Sequence, residues 1–451
     1  MEKFTEIQDR FEPYVDFLDL RFFKGQHLSI VVENEEVACG ARDILGVGVR
    51  CLVDGCWAFS STSNVSLVEE AVEKAIKSAR SLSPGDATVP ELTFRRDYVK
   101  HSAKKDAKDV DLSEKIVDLH HLKEIMSLPH VKRTKILYNE AHWIKHVRNT
   151  MGCNIEETYS QIGIDFFSIA SKQGKIEMAS DRRYGVGGYE LLENAGDIAL
   201  NTSRRAERLL SAGRVTEGSY PVILDPELTG VFVHEALGHC AEADIVSERG
   251  SFLKDNLNKR IACEAVSICD DPQLPQGSVF FSYDDEGTPA RRTLIVEKGR
   301  LMKFMHSLET AAIFETESTG NGRVDTYSSR PVIRMTNTYM LPGEESVEEM
   351  TEQVKEGVYL EKTFGAEVDI TEGAFVFKTQ EGHLIERGEL TRELKNILVY
   401  GNIEEFLRNI AGVGRNFSMS SGTCAKANQV IIIGSGGPSI LLSEMRVGVS
   451  L

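Results

Sequence analysis

The run Val231-Phe-Val-His234-Glu235-Ala-Leu-Gly238-His239 sets two imidazoles on one helix-forming segment, with a carboxylate beside the first. Two imidazoles with an adjacent carboxylate is the arrangement of a zinc hydrolase: the histidines hold the ion and the acid works on water. The familiar spacing is i to i+4, which puts both histidines on one helix face. Here it is i to i+5, which a regular α-helix turns about 140° apart, too far to share one ion. One wide, π-type turn would bring i and i+5 into line. Gly238, immediately before the second histidine, would ease that distortion. Sharing one ion therefore requires a π-turn inside this helix. The alternative is a pair of buried histidines satisfied by backbone hydrogen bonds. Against it, the pair sits two turns into an apolar, well-capped helix, where ionisable side chains are costly without a task.

A catalytic zinc takes a third protein ligand and leaves a fourth position to water. Glu242 and Asp244, one turn further on, are within reach by sequence. Cys424 is a remote candidate, in Ser420-Ser-Gly-Thr-Cys424-Ala-Lys426. It reads as lying on a Gly-preceded turn, with a lysine two residues away that favours a thiolate. Cys240 adjoins His239 but points to a different face. His306 and Asn337 are candidate donors to a transition state, though such residues are more often structural. Gly434-Ser-Gly-Gly437 and Gly412-Val-Gly414 lack the Lys-Ser/Thr of a phosphate loop and read as turns, and Ser435 has no nucleophile elbow around it.

The elements that must position these residues read as α+β, with the C-terminal half the more β-rich. Asp225-Pro226 is an N-cap followed by proline at the first helical position, opening a helix expected to run to about Ala243. Upstream, Leu28–Val37, Gly46–Val53 and Cys56–Ser61 read as strands, the last two joined by an Asp54-Gly55 hairpin turn. Ser66-x-x-Glu69 offers a capping box for a helix whose apolar face is Val68, Ala71, Val72, Ala75, Ile76 and Ala79. His101–Lys115 reads as a solvated connection. A second hairpin is centred on Gln173-Gly174, and a helix with Ala195, Ile198, Ala199, Ala206 and Leu209 on one face stops at Gly213. Glu344–Lys362 reads as an acidic surface helix, and no internal repeat appears. The expected division is an N-terminal α+β domain, 1–215, with subportions 1–100 and 116–215, and a C-terminal β-rich domain, 216–451, carrying the metal-binding helix.

Composition narrows the class. The 451 residues carry a net charge of −17, with 41% hydrophobic and 27% charged residues. That balance excludes wholesale disorder, and the acidity argues against direct contact with nucleic acid. No stretch approaches the ~20 apolar residues that span a bilayer. The start, Met1-Glu2-Lys3-Phe4-Thr5-Glu6, has no apolar core of a signal peptide, so a cytoplasmic location is expected. Eight cysteines without a Cys-x-x-Cys pair form neither a disulfide scaffold nor a paired-knuckle zinc site.

His234-Glu235-Ala-Leu-Gly-His239 followed by Glu242-x-Asp244, with the late Ser-Gly-Thr-Cys424, resembles the TldD/PmbA family of metallopeptidases. Gly46-Val-Gly-Val-Arg50 with Ala58-Phe-Ser-Ser-Thr62, Asp284-Asp285-Glu286-Gly287-Thr288 and Met335-Thr-Asn337-Thr338 fit the same family, so the likeness spans nearly the whole chain. Within it the chain resembles the metal-bearing TldD-type subunit; the PmbA-type (TldE) partner lacks the histidine motif and the cysteine. The resemblance implies one Zn2+ per chain on His234, His239 and Cys424, and Glu235 as catalytic acid/base. It further implies a cytosolic dimer, with itself or with a PmbA/TldE-type partner, acting on peptides or unfolded segments inside a cavity. Strand addition is a natural way for a β-rich catalytic half to hold such substrates. Two other readings remain open on the sequence: a regulatory protein of the gyrase-modulator type with a structural metal, and a metal-dependent amidase acting on small molecules.

Overall fold

The computed structural model describes residues 2–90, 95–248 and 250–449. Strands Phe17–Glu33, Glu36–Val53, Cys56–Thr62, Arg96–Lys100, Val131–Asn149, Asn154–Lys172 and Lys175–Val186 form one seven-stranded sheet that draws on both subportions of the N-terminal half. The Asp54-Gly55 and Gln173-Gly174 turns are present, and all four residues have positive φ, as two-residue hairpins of this kind require. Helix Val68–Arg80 packs on the sheet through the six apolar positions read from its periodicity, all of them buried. Its entry differs from expectation. Asn64, and not Ser66, is the cap: its side chain accepts from Ser66 N at 3.0 Å and opens a short 3-10 turn ahead of the helix.

Three further expectations for this half change. Leu28–Val37 straddles a hairpin turn at Asn34-Glu35. Val131–Asn149, unanticipated, is the strand that joins the two subportions, pairing with Phe17–Glu33 on one side and Asn154–Lys172 on the other. Its interspersed Lys and Arg hide the alternation. The segment 101–115 is not wholly solvated. Helix Leu112–Ile125 begins within it, and Lys115 is buried with its ammonium 2.7 Å from Glu140.

In the C-terminal half, Gly218–Leu224, Glu356–Val368, Ala374–Glu386, Glu389–Asn402 and Ile440–Val449 pair in a closed five-stranded ring, and Ile410–Val413 adds to the last of them. The expected helix over Glu344–Lys362 is helical only at Val347–Gln353. From Glu356 the chain is strand, because Val358 and Leu360 are fully buried barrel positions paired with Val222 and Leu224. A second sheet follows the order Arg300–Leu301, Thr293–Glu297, Ile268–Asp270, Asn337–Met340, Gln429–Gly437, Ser418–Lys426.

Gly434, Gly436 and Gly437 lie in a strand of this sheet and not in a turn. Packing accounts for their small size: a Cβ on Gly434 would meet the Asn337 side chain, and one on Gly436 would meet Met419 and Ser418 O, while a Cβ on Gly230 of the helix begun at Pro226 would run into the Gly436 backbone. Helix and sheet thus meet backbone to backbone. Phe232, two residues on, points the other way into a buried aromatic cluster of the barrel half, stacked 3.5 Å from Phe406 and edge-on to Phe375 and Phe377. Full burial of such a ring is worth about 1.5–3 kcal/mol, so the helix is held from both sides.

The Asp284-Asp285-Glu286 run joins the two halves. Arg50 of the N-terminal sheet is buried between Asp19 at 2.7 Å and Glu286 at 2.6 Å, and Lys145 reaches Asp285 at 2.8 Å. Glu286 also accepts from Leu308 N at 2.7 Å, tying the joint to the next helix.

Candidate metal centre

The helix capped by Asp225 is α-helical only over Pro226–Val231. The cap is real: Asp225 accepts from Leu228 N at 2.8 Å, with Pro226 next. Phe232–Gly238 is then a π-helix, His239–Ala241 a 3-10 turn, and Ala243–Glu248 a separate short helix. The single expected helix is therefore broken at its middle, in the place and manner that the i to i+5 spacing demands. Gly238 has an ordinary helical φ of −59°, so its role is one of space: a Cβ there would overlap Met335 Sδ.

With the wide turn in place, the His234 and His239 rings lie 5.1 Å apart between centroids. Cys424 Sγ stands 3.5 Å from His239 Nε2. One donor atom from each of His234, His239 and Cys424 falls within 4.8 Å of the others. Cys424 is in the strand Ser418–Lys426 and not on a turn. The tight turn is three residues later, where Ala427 and Asn428 both have positive φ and return the chain along Gln429–Gly437. The fully buried Arg334 guanidinium donates to the carbonyls of Cys424 and Gln429, fixing both strands of that hairpin.

Electrostatics agree with a cation site. Both ring nitrogens of His234 are buried and have no hydrogen-bond partner, a costly state for an imidazole unless something else occupies them. Burial alone would push the Cys424 thiol up, but the facing His234 and His239 imidazoles bring it down to about 5. Burial would lower His239, yet Glu242 and Cys424 outweigh it and hold that ring well above the ordinary imidazole range. Two imidazoles and a thiolate with unfilled valences suit zinc. The lysine near Cys424 does not act on the thiol as its proximity in sequence suggested. Its ammonium instead contacts Glu242 at 3.0 Å and Asp244 at 2.7 Å. Glu242 and Asp244 accordingly stand behind His239 and outside the donor cluster. Cys240 is fully buried and its thiol lies against Ile370 O.

Glu235 projects from the π-turn with His234 into a cavity of about 740 Å³. Its carboxylate is 36% exposed and 3.9 Å from His239 Nε2. The cavity runs between two edge strands, Lys175–Val186 of the N-terminal sheet and Ser418–Lys426 of the C-terminal one. They touch where Tyr184 N donates to Ser421 Oγ at 2.9 Å. His239 and Lys426 border a second cavity of about 540 Å³ on the other side. His306 and Asn337 line neither cavity. Asn337 is fully buried and spends its amide on Asp271 O, Val279 O and Val279 N, while His306 packs against Phe314. Asn337, with its amide fully engaged, is structural.

Comparison with known proteins matches this architecture domain by domain. The family model for PmbA/TldA metallopeptidase domain 1 covers residues 18–83, the central-domain model 105–210 and the C-terminal-domain model 217–449. A protein named metalloprotease from Methanothermobacter thermautotrophicus is 34% identical over 98% of this chain and 97% of its own length. A protein named zinc metalloprotease TldD homolog from Saccharolobus solfataricus is 32% identical over 99% of each. Among solved structures, TldE from Thermococcus kodakarensis superimposes with a TM-score of 0.80 over 99% of each chain; at 19% identity that likeness speaks for the fold. With its family-model matches end to end and full-length relatives above 30% identity, the chain belongs to the TldD/PmbA family of metallopeptidases.

Proposed function

We propose that the chain is a zinc-dependent peptidase that hydrolyses peptide bonds in peptides or unfolded segments. His234, His239 and Cys424 are the protein ligands of one zinc ion, and Glu235 is the general acid/base. The observation that carries this reading is the convergence of three donor atoms within 4.8 Å beside a carboxylate that opens into a peptide-sized cavity. A zinc ion on these donors would supply Lewis acidity, towards a scissile carbonyl and towards a water whose pKa it would lower to about 7. Glu235, adjacent to a ligand, accepts the proton of the attacking water and passes it to the departing amine. The two edge strands beside the cavity offer backbone N–H and C=O groups to an extended chain, which favours main-chain recognition with little sequence selectivity. The catalytic unit is residues 216–451, with 1–215 supplying one wall of the cavity. We further propose a dimer, of like chains or with a TldE-type partner, on the likeness to TldE, and a cytoplasmic setting; among the described residues no helix is long and apolar enough to cross a membrane.

The test is zinc content together with cleavage of an unfolded peptide, for the wild type and for Glu235→Gln. Zinc in both and cleavage only by the wild type is expected. Zinc in both with no cleavage, even after a TldE-type partner is added, would favour a structural metal in a regulatory protein.

A further inference from the structure

Behind His239, away from the thiol, lies a charged group that the acid/base and ligand roles leave unused. Glu242 is completely buried, and its Oε2 is 2.9 Å from His239 Nδ1 and 3.0 Å from Lys426 Nζ. Lys426 Nζ also reaches Asp244 at 2.7 and 2.8 Å and donates to Ile333 O at 3.0 Å. A carboxylate wholly removed from water is costly unless cations and hydrogen bonds compensate it, and here the His239 ring N–H and the Lys426 ammonium do so through one oxygen.

The placement has a geometric consequence. An imidazole that gives its Nδ1 proton to a carboxylate is fixed in one tautomer and one ring orientation, with the Nε2 lone pair facing away. In His239 that nitrogen faces Cys424 Sγ at 3.5 Å. Lys426 lies two residues after Cys424 on the same strand. The ammonium therefore joins the strand that bears the thiol to the acid that holds the imidazole, and so links two elements from distant parts of the sequence.

We propose that Glu242 and Lys426 are positioning residues of the metal centre: Glu242 orients His239 so that Nε2 meets the ion, and Lys426 locks Glu242 to the strand carrying Cys424. The inference rests on the zinc reading given above, and its effect belongs to metal affinity before it belongs to turnover. Partners of ligating histidines of this kind typically contribute 10–100-fold in affinity.

The experiment is a zinc titration against a competing chelator for the full-length wild type, Glu242→Gln, Lys426→Met and Glu235→Gln. Each is accompanied by the thiolate-to-cobalt absorption of its Co2+ form and the melting temperature of its metal-free form. Glu242→Gln and Lys426→Met are expected to bind zinc about 10–100-fold more weakly and to shift the cobalt band, and Glu235→Gln to bind as the wild type does. A folded Glu242→Gln with wild-type zinc affinity and an unchanged band would overturn the inference alone, leaving the group a brace of the fold. If Glu242→Gln does not fold, Lys426→Met decides on the same criterion. Failure of the wild type itself to bind zinc would overturn the metal reading and this one with it.

Discussion

At the scale of single residues, the site divides its labour between groups with unfilled valences and groups whose contacts are complete. His234 has two buried, partnerless ring nitrogens, whereas Asn337 has every amide atom engaged. That difference separates a ligand candidate from a structural residue more sharply than residue type does. Replacing Glu235 by Gln keeps shape and removes the base, so kcat in a peptide-cleavage assay is expected to fall about 10²–10⁴-fold with zinc content unchanged. Cys424→Ser exchanges a thiolate for a hydroxyl that zinc binds poorly; dialysis against a mild chelator followed by metal analysis is expected to strip the variant and leave the wild type loaded. Glu242 gives a pH signature in the metal-free protein. Burial would raise its pKa, but Lys426 and His239 prevail and bring it down to about 2. A depressed acid stabilises the fold fully above the ordinary carboxylate range near 4.5 and loses that contribution as pH falls towards 2. Urea unfolding across that window should therefore show a shallower acid loss for Glu242→Gln than for the wild type; equal slopes would show that the carboxylate is not held ionised.

At the scale of elements, the decisive feature is a helix that changes its winding. An α-turn fixed by the Asp225 cap gives way to the π-helix Phe232–Gly238, which turns an i to i+5 pair into neighbours. The wide turn persists because its flanks are held: Gly230 packs on the Gly436 backbone, Phe232 stacks on Phe406, and Gly238 leaves room for Met335. Gly238→Ala retains helical backbone geometry but forces Met335 aside. Overpacking of that kind costs about 1–3 kcal/mol, and the expected result is a lower melting temperature together with weaker zinc binding, both measurable on the purified variant. A loss of neither would mean that Met335 relocates freely.

At the scale of the whole molecule, the cavity exists only because two sheets from different halves of the chain bring their edge strands together. The joint beside it is ionic. Arg50 is buried between Asp19 and Glu286, so removing the guanidinium leaves Glu286 without its ion-pair partner and Asp19 with Arg21 alone, 3.0 Å away. Breaking a buried pair in this way costs about 3–5 kcal/mol. Arg50→Met is expected to lower unfolding free energy by that amount in denaturant titrations, a far larger effect than loss of the exposed Arg10–Glu69 pair, which is of the surface kind worth about 0–1 kcal/mol.

Local chemistry was legible in the sequence wherever a residue's role depends on its near neighbours. The Asp225-Pro226 cap, the two positive-φ hairpin turns and the six-residue apolar face of Val68–Arg80 follow from residue type and spacing, and the i to i+5 spacing of His234 and His239 requires a π-turn if the two are to share one ion. Tertiary structure decided what depends on partners far away in the chain. The edge strand bearing Cys424 has no apolar alternation, since it faces a cavity, and so reads as a Gly-preceded turn. The glycines of 434–437 read as turns because the neighbours that limit their size, Asn337 at Gly434, Met419 at Gly436 and Thr229 at Gly437, are set by the fold and not by adjacent residues. Lys426 looks in sequence like a partner of the thiol beside it; only the fold brings Glu242 and Asp244 to its ammonium.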